Sequence, residues 1–142
     1  MMKNEKNKLQ DILKKYPKLN SEGICYNTDM VYKKSLKEIE KFNNECREAL
    51  ESRKDIIISI SKILQKYIIP TKTIRTFYDS YQMKNIVEKQ LETFGVEECC
   101  ISHGEFVAAA LLAGFKIRKC SYAKWNVHFN MQKQSFERTF HN

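Results

Sequence analysis

Apolar positions follow a helical period over most of the chain and switch to alternation in its last third. From Asn4 to Tyr16, Leu9, Ile12, Leu13 and Tyr16 share one face, and Pro17 ends that short amphipathic helix. Lys18 to Asn27, with Gly23 and its asparagines, reads as a loop, after which Thr28 or Asp29 can cap a helix. Neither Gly nor Pro occurs from Met30 to Tyr67. There Ile39, Phe42, Cys46, Ala49, Ile56, Ile60, Ile63 and Tyr67 recur near heptad a and d positions, with Arg53 the single interruption. The spacing predicts one long helix, or two collinear ones bending near Ser52 to Asp55. Three consecutive isoleucines, Ile56 to Ile58, also suit a strand, but Ile60, Ile63, Leu64 and Tyr67 continue the helical stripe. The stripe must be covered by the N-terminal helix, by the C-terminal half, or by a second copy in a homodimer through Ile39–Tyr67.

Pro70 marks a boundary, which divides the chain into a helical region, 1–69, and a compact domain, 70–142. Thr71 to Phe77 alternates like a short edge strand or an extended linker. Asp79 or Ser80 then caps a helix over Tyr81–Phe94, with Met83, Ile86, Val87, Gln90, Leu91 and Phe94 on one face and Gly95 closing it. The most definite element is Ile101–Phe115. Ser102 and Glu105 have capping-box spacing, Ile101 and Phe106 can staple the entry, and Gly114 with Phe115 suits a Schellman end. Its interior, Phe106 to Ala113, is apolar on every side, as expected of a helix enclosed by its neighbours. Beyond it, Phe115, Ile117 and Lys119 alternate with Lys116, Arg118 and Cys120. In the next run Trp125, Val127, Phe129 and Met131 alternate with Asn126, His128 and Asn130. That pattern predicts a β-hairpin with an apolar side on the helices and a polar, basic side in solvent. Ser135 to Phe140 adds one helical turn. The expected fold is α+β and predominantly helical: a long N-terminal amphipathic helix plus a compact helix–turn–helix–β-hairpin domain, winged-helix-like in order.

Composition narrows what such a fold could do. The 142 residues are 42% hydrophobic, so a real core is available, and a formal net charge of +8 suits phosphates or acidic surfaces. The same charge follows if the lysines are simply solvated, but it excludes an acidic DNA mimic. Five cysteines, Cys25, Cys46, Cys99, Cys100 and Cys120, are odd in number and lack C-x-x-C spacing, so they read as small hydrophobes or inert thiols. With no signal peptide or membrane-length apolar run, the expected location is the reduced cytosol, with no membrane partner.

Candidate chemistry is sparse. A major-groove reading helix presents Arg, Lys, Asn or Gln along one face; the helix after His103 offers none. Phosphate contact would therefore fall to the hairpin, where Lys116, Arg118, Lys119 and Lys124 stand beside Trp125 and His128. A second mixed patch is Arg75, Phe77, Tyr78 and Tyr81, residue types that anchor protein interfaces and stack on bases. As core-edge aromatics and wing lysines, both sets would need no function. The three histidines, His103, His128 and His141, have no i, i+4 partner. His103 with the amides of Gly104 and Glu105 could hold a phosphate, in competition with the Glu105 carboxylate. No catalytic, cofactor or zinc motif is present, so the expectation is a non-enzyme with no metal or cofactor.

The segment Ser80–Asn130 resembles small accessory proteins of phages and mobile elements. The residues that carry the likeness are Ser80-Tyr81-Gln-Met-Lys84, Ile86-Val87-Glu88, Ser102-His-Gly104-Glu105-Phe106, Ala109 to Phe115, and Asn126-Val-His-Phe129-Asn130. Proteins of that class are often encoded beside anti-defence genes, and some, anti-CRISPR proteins among them, disable host nucleases. The resemblance implies a cytoplasmic helper in the host cell that acts by binding. It would inhibit a host defence protein or nucleoprotein, such as a CRISPR effector nuclease, by steric occlusion through a basic, aromatic surface. The alternative is a small nucleic-acid-binding regulator that uses the hairpin as a wing.

Overall fold

The computed structural model describes residues 2–24, 35–97, 100–123 and 125–140. It is a mixed α+β structure in the order α1 (Met2–Lys15), β1 (Leu19–Asn20), β2 (Gly23–Ile24), α2 (Leu36–Glu51), α3 (Lys54–Tyr67), β3 (Pro70–Arg75), α4 (Ser80–Glu88), a 3-10 turn (Glu92–Phe94), α5 (His103–Leu112), β4 (Ile117–Lys119), β5 (Val127–Met131) and α6 (Lys133–Phe140). The cap expected at Thr28 or Asp29 lies outside the described residues; Ser35 caps α2 instead, accepting the Glu38 N–H.

Helix α5 is the axis of the fold. Ser102 Oγ accepts the Glu105 N–H at 3.1 Å while Glu105 Oε1 accepts the Ser102 N–H at 2.7 Å, closing the capping box. At the other end the N–H of Gly114 reaches Leu111 O and that of Phe115 reaches Ala110 O, the two bonds of a Schellman motif. Gly114 has φ +100, a conformation that a side chain would strain. Every residue from His103 to Leu111 is buried, with α1, α3 and α4 packed around the helix.

The region 36–67 takes the broken form, as two helices parted at Ser52–Arg53. The break resets the helical phase, so the expected stripe is displaced. Ala49 is exposed and Leu50 buried, and α3 buries Ile57, Ile58, Ile60, Ile63 and Leu64 while Tyr67 is 41% exposed. Of the expected stripe, Ile60 and Ile63 join the intrachain core, so that part of the face is not open to a homodimer through Ile39–Tyr67. The core also runs across Pro70: α3 packs on α5, and residues of both 1–69 and 70–142 belong to one hydrophobic cluster.

Four further elements differ from the sequence expectation. Residues 19–24, expected as loop, form a small antiparallel ladder pairing Leu19 with Ile24 and Asn20 with Gly23. Helix α4 stops at Glu88, and the chain reaches Gly95 (φ +80) through a turn and the 3-10 segment. Helix α6 has two turns, with Phe136 and Phe140 buried. The hairpin gains a third strand, in the order β3-β5-β4 with all pairs antiparallel. As the central strand β5 is buried on both faces, His128 and Asn130 included, so the expected solvent-facing polar side does not exist there. Asn130 accepts the Lys116 N–H and donates to Thr71 O, and His128 Nδ1 lies 3.2 Å from Tyr78 O. The polar groups of β5 thus fasten its flanking segments.

Candidate functional site

The first turn of α5 is where distant segments meet. Gly104 has no side chain because none fits: a Cβ there would lie 1.7 Å from Asn20 O. Its N–H donates to Ser21 O, so the β1–β2 turn sits directly on the helix end. His103, 6% exposed, donates from Nδ1 to Glu22 O at 2.9 Å, which leaves Nε2 to accept the Ser80 hydroxyl at 2.6 Å. Ser80 Oγ in turn accepts the Val127 N–H. One imidazole therefore ties the β1–β2 turn, α4 and β5 together, and burial lowers its pKa from 6.5 to about 4, so it is neutral at pH 7. Asp79 caps α4 and accepts the Tyr122 hydroxyl at 3.0 Å.

A serine in hydrogen-bond contact with a histidine, itself oriented by a third group, is the arrangement of an activated nucleophile. Here Ser80 is fully buried and its hydroxyl is engaged by both His103 and Val127, so no carbonyl carbon can approach it. The pair is structural. The same accounting removes the expected phosphate site at the start of α5: the donors of His103, Gly104 and Glu105 are all spent on Glu22, Ser21 and Ser102.

On the surface beside His103 is a cleft of about 480 Å³. Phe42 from α2, Tyr81 from α4 and Trp125 from the β4–β5 connection line it, with Glu22 and Asn126. Phe42 and Trp125 meet at 6.0 Å between ring centroids, nearly perpendicular, and Tyr81 stands edge-on to His103 at 5.5 Å. Trp125 holds φ +73, a left-handed conformation rare for a bulky residue, and its carbonyl accepts the Ile24 N–H. Trp125 thus precedes the strand in which the alternation placed it.

The remaining expected site residues scatter. Arg75 is exposed on edge strand β3; Lys116 is exposed just before β4 and Arg118 and Lys119 on it, with Arg118 opposite His128 in register. Tyr78 is half-buried against Phe77 and Phe136, a core-edge role. His128 is buried in β5. Lys124, Cys25, Cys99 and His141 lie outside the described residues; Cys46 and Cys120 have free thiols. Of the nine, Tyr81 and Trp125 come together in the cleft, while Lys116, Arg118 and Lys119 lie in and just before β4, with successive side chains on opposite faces.

Three residues with a decisive part were not singled out as site candidates. Glu22 and Phe42 line the cleft, and Arg47 ties α2 to the end of α1: its guanidinium donates to Leu13 O, to Tyr16 O at 2.9 Å and to Leu19 O at 2.9 Å. The interruption at Arg53 was the visible signal of another such bond. Arg53 Nε pairs with the buried Glu105 Oε2 at 2.8 Å, and Nη2 donates to Cys100 O. Among the described residues no helix is long and apolar enough to cross a membrane, and no group of three or more His, Cys, Asp or Glu gathers to hold a metal. Compared with family models, with curated proteins and with solved structures, the chain matches none of them.

Proposed function

We propose that the protein acts by stoichiometric binding, without turnover, and that its basic sheet edges meet a partner bearing phosphate or carboxylate. One observation carries this reading. Lys72 and Arg75 on β3, Arg118 and Lys119 on β4 and Lys116 just before it are exposed, and no acidic residue occurs between Glu105 and Glu137. Exposed cations of this kind release condensed counterions when they meet a polyanion. In the form implied by the phage-accessory resemblance, the partner is a host defence nucleoprotein such as a CRISPR effector nuclease, occluded by the bound protein. Charge then limits the docking mode. A positively charged nucleic-acid channel repels this strip, so the contact would be with bound guide RNA or an acidic flank.

The test is a cleavage assay of a defence nuclease titrated with the protein. Complete inhibition at about one equivalent, relieved by changing Lys116, Arg118 and Lys119 together to Ala, supports the proposal; unchanged cleavage at large excess rejects it.

A second reading is a nucleic-acid regulator, favoured by the order α4, α5, β4, β5, which is that of a winged helix with a basic wing. A buried α5 leaves such a protein only backbone contacts, so duplex affinity would be nearly independent of sequence. Removing three phosphate contacts would reduce the slope of log affinity against log salt by about 3. No duplex binding at low salt discards this alternative.

A further inference from the structure

One aromatic side chain stands outside both the core and the cleft. Tyr122, in the connection between β4 and β5, is 65% exposed, the most open large apolar side chain among the described residues. It is nonetheless held in place. Its hydroxyl donates to Asp79 Oδ2 at 3.0 Å, and its ring meets the His128 ring edge-on at 5.9 Å between centroids. Both contacts restrict its rotamers, so little freedom is left to lose when a ligand covers it. The register of the sheet sets cations beside this ring. Arg118 is paired with His128 across β4 and β5, and directly opposed residues share a face. Arg118 therefore lies on the side of the sheet where His128 meets Tyr122. Lys116 precedes it by two residues, on the same side, and its N–H donates to Asn130 Oδ1. Ile117 and Phe129 take the other side, where Phe129 packs on Phe106 of α5. Arg118 and Lys116 are both exposed. Asp79, the carboxylate that holds Tyr122, is buried and also accepts the Gln82 N–H, so its oxygens are engaged inside the protein.

We infer that Tyr122, Arg118 and Lys116 receive a single strand of nucleic acid, with an unpaired base stacked on the Tyr122 ring and the adjoining phosphates against the two cations. This rests on the reading of the basic strands as a polyanion contact, and it names the polyanion. Cations alone suit any chain of phosphates or carboxylates. A fixed, solvent-facing ring among them adds a surface that only a base can use, and stacking of this kind tolerates any base because every base has a π-face. The base must be unpaired, since single strands are what can splay a base onto an aromatic side chain. An acidic protein segment would engage the cations and gain nothing from the ring.

The test separates base from phosphate. Fluorescence anisotropy at low salt follows the full chain binding a labelled oligothymidine, an abasic strand of the same length, which keeps every phosphate and lacks every base, and an oligoglutamate of equal charge. The oligothymidine should bind about tenfold more tightly than the abasic strand. Tyr122→Ala should remove that advantage and leave abasic affinity unchanged, while Tyr122→Phe, which keeps the ring, should stay within about twofold of the parent. Arg118→Ala should weaken both strands and reduce the slope of log affinity against log salt by about 0.7. Circular dichroism confirms that each variant is folded. Equal affinity for oligothymidine and abasic strand overturns this inference alone and leaves the polyanion contact standing. So does oligoglutamate binding as tightly as oligothymidine, or a Tyr122→Ala variant that keeps the preference for bases. Absence of binding to all three overturns the inference together with the polyanion reading beneath it.

Discussion

The sharpest test of the fold is acid. His103 is held neutral, chiefly by burial, with its pKa lowered from 6.5 to about 4; its bond to Glu22 O and the Asp79 charge only partly offset that. Below pH 6.5 the unfolded chain takes up a proton that the folded chain refuses, so stability falls as pH falls and levels off near pH 4. The full difference of about 2.5 units corresponds to roughly 3 kcal/mol, of which about 2 kcal/mol is lost between pH 6.5 and 5, before most carboxylates titrate. Against a typical domain stability of about 5–15 kcal/mol that is a large share. Urea unfolding at half-unit steps from pH 7 to 5, for the parent and for His103→Gln, isolates the contribution. The parent should lose about 2 kcal/mol more than the variant over this window, about 1 kcal/mol per unit on average and most steeply at its acid end. Parallel curves would refute the buried, neutral imidazole, and so would a parent that gains stability relative to the variant on acidification.

The other predictions concern the same junction. Gly104→Ala brings a methyl into the Asn20 carbonyl and should cost about 3 kcal/mol or more in denaturant unfolding, since backbone must move. Arg53→Leu leaves Glu105, 4% exposed, without its cation. A loss of about 2–3 kcal/mol is expected, partly restored by adding Glu105→Gln; additive losses would mean the two do not interact. Arg47→Lys should cost about 1–2 kcal/mol, because one ammonium cannot reach the carbonyls of Leu13, Tyr16 and Leu19 together; an unchanged melting temperature would contradict that.

Much of the local structure was legible in the chain, because its signals are local. Both ends of α5 are set within a few residues, by Ser102 with Glu105 and by Gly114, and its lack of any polar face already required burial. The cap at Asp79, the edge position of β3 and the inward Phe136 and Phe140 follow from the same short-range rules. The tertiary structure decided what depends on partners distant in sequence. Alternation placed His128 and Asn130 in solvent, but β3 arrives from far upstream to make β5 central, and their hydrogen bonds to Tyr78, Lys116 and Thr71 permit the burial. The two-residue gap at Ser52–Arg53 shifted the buried stripe of α3 by helical phase, which no window within either helix reveals. The candidate site was legible only in part. Tyr81 and Trp125 are legible as aromatics beside basic residues, whereas Glu22 and Phe42 carry no signal until α2 and the β1–β2 turn close around His103. Short-range chemistry fixes caps, turns and faces, but a site assembled from four segments exists only after the chain has closed on itself.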